Sequence, residues 1–421
     1  MEEQTLRRIF ESVTPGDAAA ADICHRRWNG IAKPLHSLGW MEDAITRIAA
    51  AQHSPEIRTR KKILVPMCAD NGVVAEGVTQ TGQEVTAIVA ENFLDEQSCA
   101  AIMCRLAGAD IRPIDIGMVT DTPRVEKRKV AYGTKNFAKE PAMTREEAVR
   151  ALMVGITLAG ELKEQGYDLI ATGEMGIGNT TTSSAVASAL LGVPAVEMTG
   201  RGAGLSTEGL NKKICVIQEA LERYGLTGCQ TGSSADSQTR GQTDSSADSQ
   251  TRGQTDSSVD SQTRGQTDSS ADSQTRDMVG SSEVEDTQTG HMTGSSVDPL
   301  SVLSCVGGFD LAGIAGLFLG GAYHHIPVLI DGFISSVGAL LAVRLCPAAG
   351  DYMIATHVSK EPAARRILKE LALEPALDAG MCLGEGSGAV AALPLIDMGA
   401  EIYHRMSTFE QIQVEAYQEL I

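Results

Sequence analysis

Apolar residues along the chain follow two alternating patterns. Short runs rich in β-branched residues are separated by longer stretches in which apolar positions recur every three to four residues. The short runs predict strands over residues 63–70, 110–116, 168–174, 195–199, 328–331 and 352–357, and the longer stretches predict helices over 84–106, 145–164, 208–223 and 309–323. Strands that alternate with helices in this way call for an α/β fold with a doubly wound, mainly parallel sheet. Residues 1–60 carry amphipathic helical patterns and no convincing strand, and the tail from Met406 to Ile421 reads similarly. The two ends (1–60 and 401–421) are therefore expected to pack together as a small helical domain beside a large domain over 61–400.

One stretch breaks the alternation. The twelve residues from Ser233 to Asp244 recur from Ser245, from Ser257 with Val259 in place of alanine, and partly from Ser269. A solenoid repeat must offer an apolar face for its neighbours to bury, and this unit has almost nothing apolar. Residues 227–297 read as a disordered low-complexity insertion in a surface loop.

Composition narrows the function. A chain of 421 residues with 43% hydrophobic content can bury a large core, and its net charge of -19 repels phosphate backbones and anionic lipid surfaces alike. Neither nucleic acid nor membrane is an expected partner. The nine cysteines are odd in number and irregular in spacing, which argues against a disulfide framework and for a reduced, cytoplasmic compartment. The start Met1-Glu2-Glu3-Gln4 lacks the features of a signal peptide, and the apolar run Leu311 to Leu319 is too short to span a bilayer. No His-Glu-x-x-His pair and no Gly-x-Ser-x-Gly elbow occurs, so neither a metal nor a cofactor is expected.

In open parallel sheets ligands bind beyond the carboxyl ends of the strands. The runs here close in polar residues: Asp70-Asn71-Gly72, Gly173-Glu174-Met175-Gly176, Thr199-Gly200-Arg201-Gly202, Asp331-Gly332 and Thr356-His357. Turn chemistry alone accounts for any one of them; together they outline a polar rim. Three glycine-rich segments stand out. Gly173 to Ser184 joins a strand to a helix through glycines and hydroxyl residues, where unpaired backbone donors suit phosphate, though it is neither a Walker motif nor a dinucleotide fingerprint. Thr199 to Leu205 precedes a helix whose Lys212 or Lys213 can supply a cation. Leu383-Gly384-Glu385-Gly386-Ser387-Gly388 sets one acid between glycines, where partial desolvation would raise its pKa towards that of a useful base.

With Ala69-Asp70-Asn71-Gly72-Val73, Gly173-Glu174-Met175-Gly176-Ile177-Gly178-Asn179-Thr180-Thr181, Val306-Gly307-Gly308-Phe309-Asp310, His357-Val358-Ser359 and Leu383 to Gly388, the chain resembles the nicotinate-nucleotide:dimethylbenzimidazole phosphoribosyltransferase family. The likeness runs over nearly the whole chain outside the repeat. It implies a Rossmann-like homodimer that moves phosphoribose from nicotinate mononucleotide to a benzimidazole base. It also implies that Glu385 is the catalytic base, that Glu174 and Gly176 line the site, that Lys213 contacts phosphate and that Gln83 lies near the acceptor. Asp331, Ser359, Gly384 and Gly386 are expected to bind substrate, and Glu174 to act beside Glu385. Thr81-Gly82 departs from the family pattern and bears on the choice of acceptor base. The rival readings are a dehydrogenase, which lacks its fingerprint here, and a nucleotide sensor, which requires Glu385 to be dispensable.

Overall fold

The computed structural model describes residues 2–227 and 297–417, which belong to one compact unit. The repeat lies outside the described residues. Three helices open the chain: α1 (Glu2–Ser12), α2 (Ala18–Gly30) and α3 (Trp40–Gln52). Next come β1 (Lys62–Ala69), α4 (Glu84–Asn92), α5 (Cys99–Ala107), β2 (Asp110–Ile111), β3 (Ile114–Gly117) and β4 (Glu126–Lys127). The helix α6 (Arg145–Glu164) starts at a reciprocal capping box between Thr144 and Glu147. β5 (Leu169–Met175), α7 (Asn179–Leu191), α8 (Ala195–Met198) and α9 (Thr207–Arg223) follow. Beyond the insert are α10 (Pro299–Val306), α11 (Phe309–His324), β6 (Val328–Ile330), α12 (Gly332–Leu345), β7 (Met353–Ala355), α13 (Ala364–Glu370) and α14 (Ser387–Arg405).

The predicted doubly wound parallel sheet is present. Its order is β4-β3-β1-β5-β6-β7, with β2 pairing to the first half of β1, and every pair is parallel. The chain winds outward in one direction through β3 and β4 and in the other through β5 to β7, so the switch point falls between β1 and β5. Both faces are covered, which is why β1 is buried throughout. Ile63, Val65, Met67 and Ala69 join the core built with α6, α7, α11 and α12. Leu64 and Cys68 point the other way, into a core shared with Trp28, Ile45, Ile48, Leu393 and Ile396 from α2, α3 and α14.

Four local expectations are corrected. The strand expected over 110–116 is cut into β2 and β3 at Arg112-Pro113, since proline brings no N–H to a ladder. The strand expected over 195–199 is the helix α8: Pro194 leads into Ala195-Val196-Glu197-Met198, mostly good helix formers, and the one β-branched residue, Val196, is exposed. The helix expected over 84–106 is two, because Glu96 turns left-handed at φ 52° and Ser98 then caps α5 by accepting the Ala101 N–H. The helix expected at the C-terminus stops at Arg405, and residues 406–417 form turns instead. There Thr408 forms an antiparallel bridge with Ile31, the Ala32 N–H donates to Ser407 O at 2.9 Å, and the Phe409 N–H donates to Gly30 O at 3.0 Å. These backbone bonds draw the segment out of helical geometry.

Candidate active site

A cavity of about 270 Å³ opens beyond the carboxyl ends of β5, β6 and β7, and is walled by the loops around Val78–Thr81, Glu174–Thr180, Arg201–Leu205, Asp331–Ile334, His357–Glu361 and Cys382–Glu385. This is the side of the sheet on which ligands of doubly wound folds bind. The lining combines apolar side chains of Val78, Val89, Met175, Phe333 and Leu383 with an acidic group around Glu174 and one buried cation, Lys213.

In the acidic group Glu174 is buried at the end of β5. The Asn179 side-chain amide donates to its Oε2, and the Glu385 N–H donates to its Oε1 at 3.3 Å. Burial, with the charges of Asp310 and Asp331 nearby, pushes Glu174 up to about 8. Burial likewise pushes Asp310 and Asp331 up to about 7. Glu385 sits in a turn whose three residues, Gly384, Glu385 and Gly386, all have positive φ (87°, 62° and 92°). Such a conformation strains any residue with a Cβ and persists only where its surroundings fix it. Its Oε2 accepts the Ala100 N–H at 3.1 Å, in the first turn of α5, where the helix end favours an anion. Burial raises the Glu385 pKa and that N–H opposes the rise. His357 is buried beside Asp331, 3.6 Å from its Oδ1, but its Nδ1 takes the Gly332 N–H at 3.3 Å and burial lowers its pKa. A ring nitrogen that accepts carries no proton, so the pair is a neutral imidazole beside an acid.

The cation, Lys213 of α9, is 1% exposed. Its Nζ donates to Thr180 Oγ1 at 2.8 Å and to Gly200 O at 3.2 Å. An ammonium has three donors, so one remains for an anion in the cavity. Burial lowers its pKa to about 8 against the pull of Glu361. Thr180 lies in the first turn of α7, just after the glycine turn at Gly176 and Gly178. A side chain at Gly176 would run into the Ala69 carbonyl and the Asp310 carboxylate.

Glu385, Glu174, Gly176, Lys213, Asp331, Ser359 and Gly384 thus all line one cavity. Two expected residues do not. Gln83 caps the entrance to α4 and its amide donates to Asn71 O at 3.2 Å, while Gln80 and Thr81 take the place at the wall. Gly386 is turned inward, where a Cβ would meet Leu64 and the Thr172 carbonyl. Sequence reasoning assigned no role to Asn179, Asp310 or Glu361. An acid opening an otherwise apolar helix was the available signal for Asp310; Glu361, half-buried near Lys213 in a charged loop, had none.

A phosphoribosyltransferase family model matches residues 13–236 and 278–414. The nicotinate-nucleotide–dimethylbenzimidazole phosphoribosyltransferase of Clostridium acetobutylicum is 38% identical across 99% of this chain and 99% of its own. The chain belongs to this family. A second nicotinate-nucleotide–dimethylbenzimidazole phosphoribosyltransferase, from Acetivibrio thermocellus, is 37% identical over 99% of this chain and 98% of its own. The crystal structure of CobT from Thermus thermophilus superposes with a TM-score of 0.74 at 33% identity, covering 94% of this chain and 99% of that one. The phosphoribosyltransferase match lapses over 237–277, within the repeat.

Proposed function

We propose that the chain transfers the 5-phosphoribosyl group of nicotinate mononucleotide to 5,6-dimethylbenzimidazole or a related base. The products are α-ribazole 5'-phosphate and nicotinate, a step in assembling the cobalamin nucleotide loop. The observation that carries this reading is a single cavity lined both by Lys213 with the start of α7 and by Glu385, whose Oε2 is engaged by the Ala100 N–H.

Nicotinate mononucleotide presents a cationic pyridinium on C1', so the donor already has a good leaving group and the acceptor must be made nucleophilic. The benzimidazole imine nitrogen attacks C1' from the face opposite nicotinate, which inverts the β linkage to α. Its ring N–H is lost to the Glu385 carboxylate, whose raised pKa suits a base at neutral pH. Glu174, which burial keeps largely protonated at neutral pH, orients the ribose through hydrogen bonds rather than through charge. The phosphate, held by Lys213 beside the start of α7, keeps C1' aligned with the acceptor.

The test is to incubate the purified protein with nicotinate mononucleotide and 5,6-dimethylbenzimidazole and to follow both products by mass-resolved chromatography. Equal amounts of α-ribazole 5'-phosphate and nicotinate are expected; nicotinate alone would make the protein a hydrolase and overturn the reading.

The working form we infer is a homodimer. Ile102 and Leu106, one helical turn apart on α5, and Ile88 on α4 are exposed apolar residues that a second copy would cover. Light scattering that gives the mass of one chain would refute this. The cytoplasm is the compartment we infer: all eight cysteines among the described residues are free, as suits a reducing milieu. Among those residues no helix is long and apolar enough to cross a membrane.

A further inference from the structure

The turn that carries Glu385 is held from behind by one acid. Asp331 closes β6 and is 3% exposed. Its Oδ1 accepts the N–H groups of Gly388 at 2.7 Å and Ala389 at 3.1 Å, and its Oδ2 accepts that of Gly386 at 3.2 Å. These are the donors that the start of α14 cannot satisfy within the helix, and Gly386 at the N-cap has no side chain to serve them. Three N–H groups converging on two carboxylate oxygens make a helix cap supplied by a different element. The remaining support of the turn comes from Glu174, through the Glu385 N–H, and from the His357 ring, against which a Cβ on Gly388 would collide.

We propose that Asp331 is a positioning residue for the transfer reaction: it fixes the left-handed Gly384-Glu385-Gly386 turn, so that Glu385 lines the cavity, and it does not itself hold the substrate. The inference rests on the base role proposed for Glu385. It changes the role expected for Asp331 from the sequence, because both its oxygens face α14. Without this cap the turn keeps only the weaker hold of Glu174 on the Glu385 N–H and of Ala100 on its carboxylate, and the carboxylate drifts from the acceptor nitrogen.

The experiment is a double-mutant cycle with steady-state kinetics. Asp331→Asn keeps the shape but turns an amide nitrogen towards an N–H. We expect kcat to fall about tenfold to a hundredfold, the cost of displacing a catalytic group by about an ångström, while KM for nicotinate mononucleotide stays within about threefold. In a Glu385→Gln background the same substitution should lower the residual kcat by less than about twofold, because its effect passes through Glu385. Full additivity of the two losses, or a rise in KM that matches the loss in kcat, overturns the proposal in favour of direct substrate binding or a purely structural role. If circular dichroism shows Asp331→Asn unfolded, Asp331→Glu, which keeps the charge but lengthens the arm, enters the same cycle with the same expectations. Wild-type turnover in Glu385→Gln alone overturns the base itself and the positioning role with it. That outcome is distinct from additivity on an inactive Glu385→Gln.

Discussion

Two glycine turns in this molecule look alike and do different things. Gly178 (φ 94°) leads into α7 and Gly386 (φ 92°) leads into α14, and neither has a capping side chain of its own. At α14 the first N–H groups end on Asp331, so the turn is bolted to the neighbouring strand and the side chain it displays, Glu385, is immobilised. At α7 the Asn179 N–H donates to Gly176 O at 3.1 Å and the Thr181 N–H to Gly178 O at 2.9 Å, and what this start presents to the place proposed for phosphate is Thr180 with the Lys213 ammonium it holds. Both starts meet a strand-end carboxylate: Asp331 takes backbone N–H groups of α14, whereas Glu174 takes the Asn179 side chain of α7, and only at α7 does a buried cation stand beside the turn.

Removing the group that the α14 turn displays should have the largest effect. Glu385→Gln is expected to lower kcat about 10²- to 10⁴-fold, as for loss of a general base, with the calorimetric affinity for nicotinate mononucleotide unchanged. An equal loss of affinity would erase the distinction between the two turns. Lys213→Met, beside the α7 turn, should raise KM for nicotinate mononucleotide about tenfold to a hundredfold, the worth of a hydrogen bond to a charged group, with a smaller change in kcat. Since burial holds Lys213 at about 8, the wild-type KM should climb as its charge is lost above that pH, and the variant should show no such climb.

A smaller effect concerns the floor between the turns. Glu174 is held near 8 in the folded chain against an ordinary 4.5, so the folded state binds more protons than the unfolded one between those values. Its contribution to stability is present below the lower value and is lost as pH rises towards the upper one. Glu174→Gln should therefore raise the Tm more at about pH 8 than at about pH 5, and a pH-independent difference would refute the buried ionisation. Deleting residues 233–280 should change turnover by less than about twofold, because long surface insertions are cheap to close; a larger loss would tie the repeat to the site.

The periodicity of the chain made the sheet legible because both its faces are covered, so β1 reads as a nearly continuous apolar run from Ile63 to Ala69 and β5 opens on one at Leu169-Ile170-Ala171. It failed where a single residue outweighed the pattern, as Pro113 did in splitting β2 from β3 and Ser98 in starting a new helix. Glu385, Glu174 and Lys213, marked in the sequence by their glycine-rich surroundings, do come together in the lining of one cavity. Gln83 and Gly386 are the misplacements, and both have one cause. A motif gives the order of residues but not which of them face inward: Gln83 turns back on Asn71, and Gly386 lies against Leu64. The bonds of Asp331 to the start of α14 were invisible for the same reason, since its partners lie 55 to 58 positions further along the chain.

The pairing of Ile31 with Thr408 has a bearing on how the protein is made. Domains tend to fold from the N-terminus as they leave the ribosome. Here an early segment waits for nearly the last residues before its edge is closed, and Glu385 also arrives late. A chain released before residue 408 would bare the edge around Ile31.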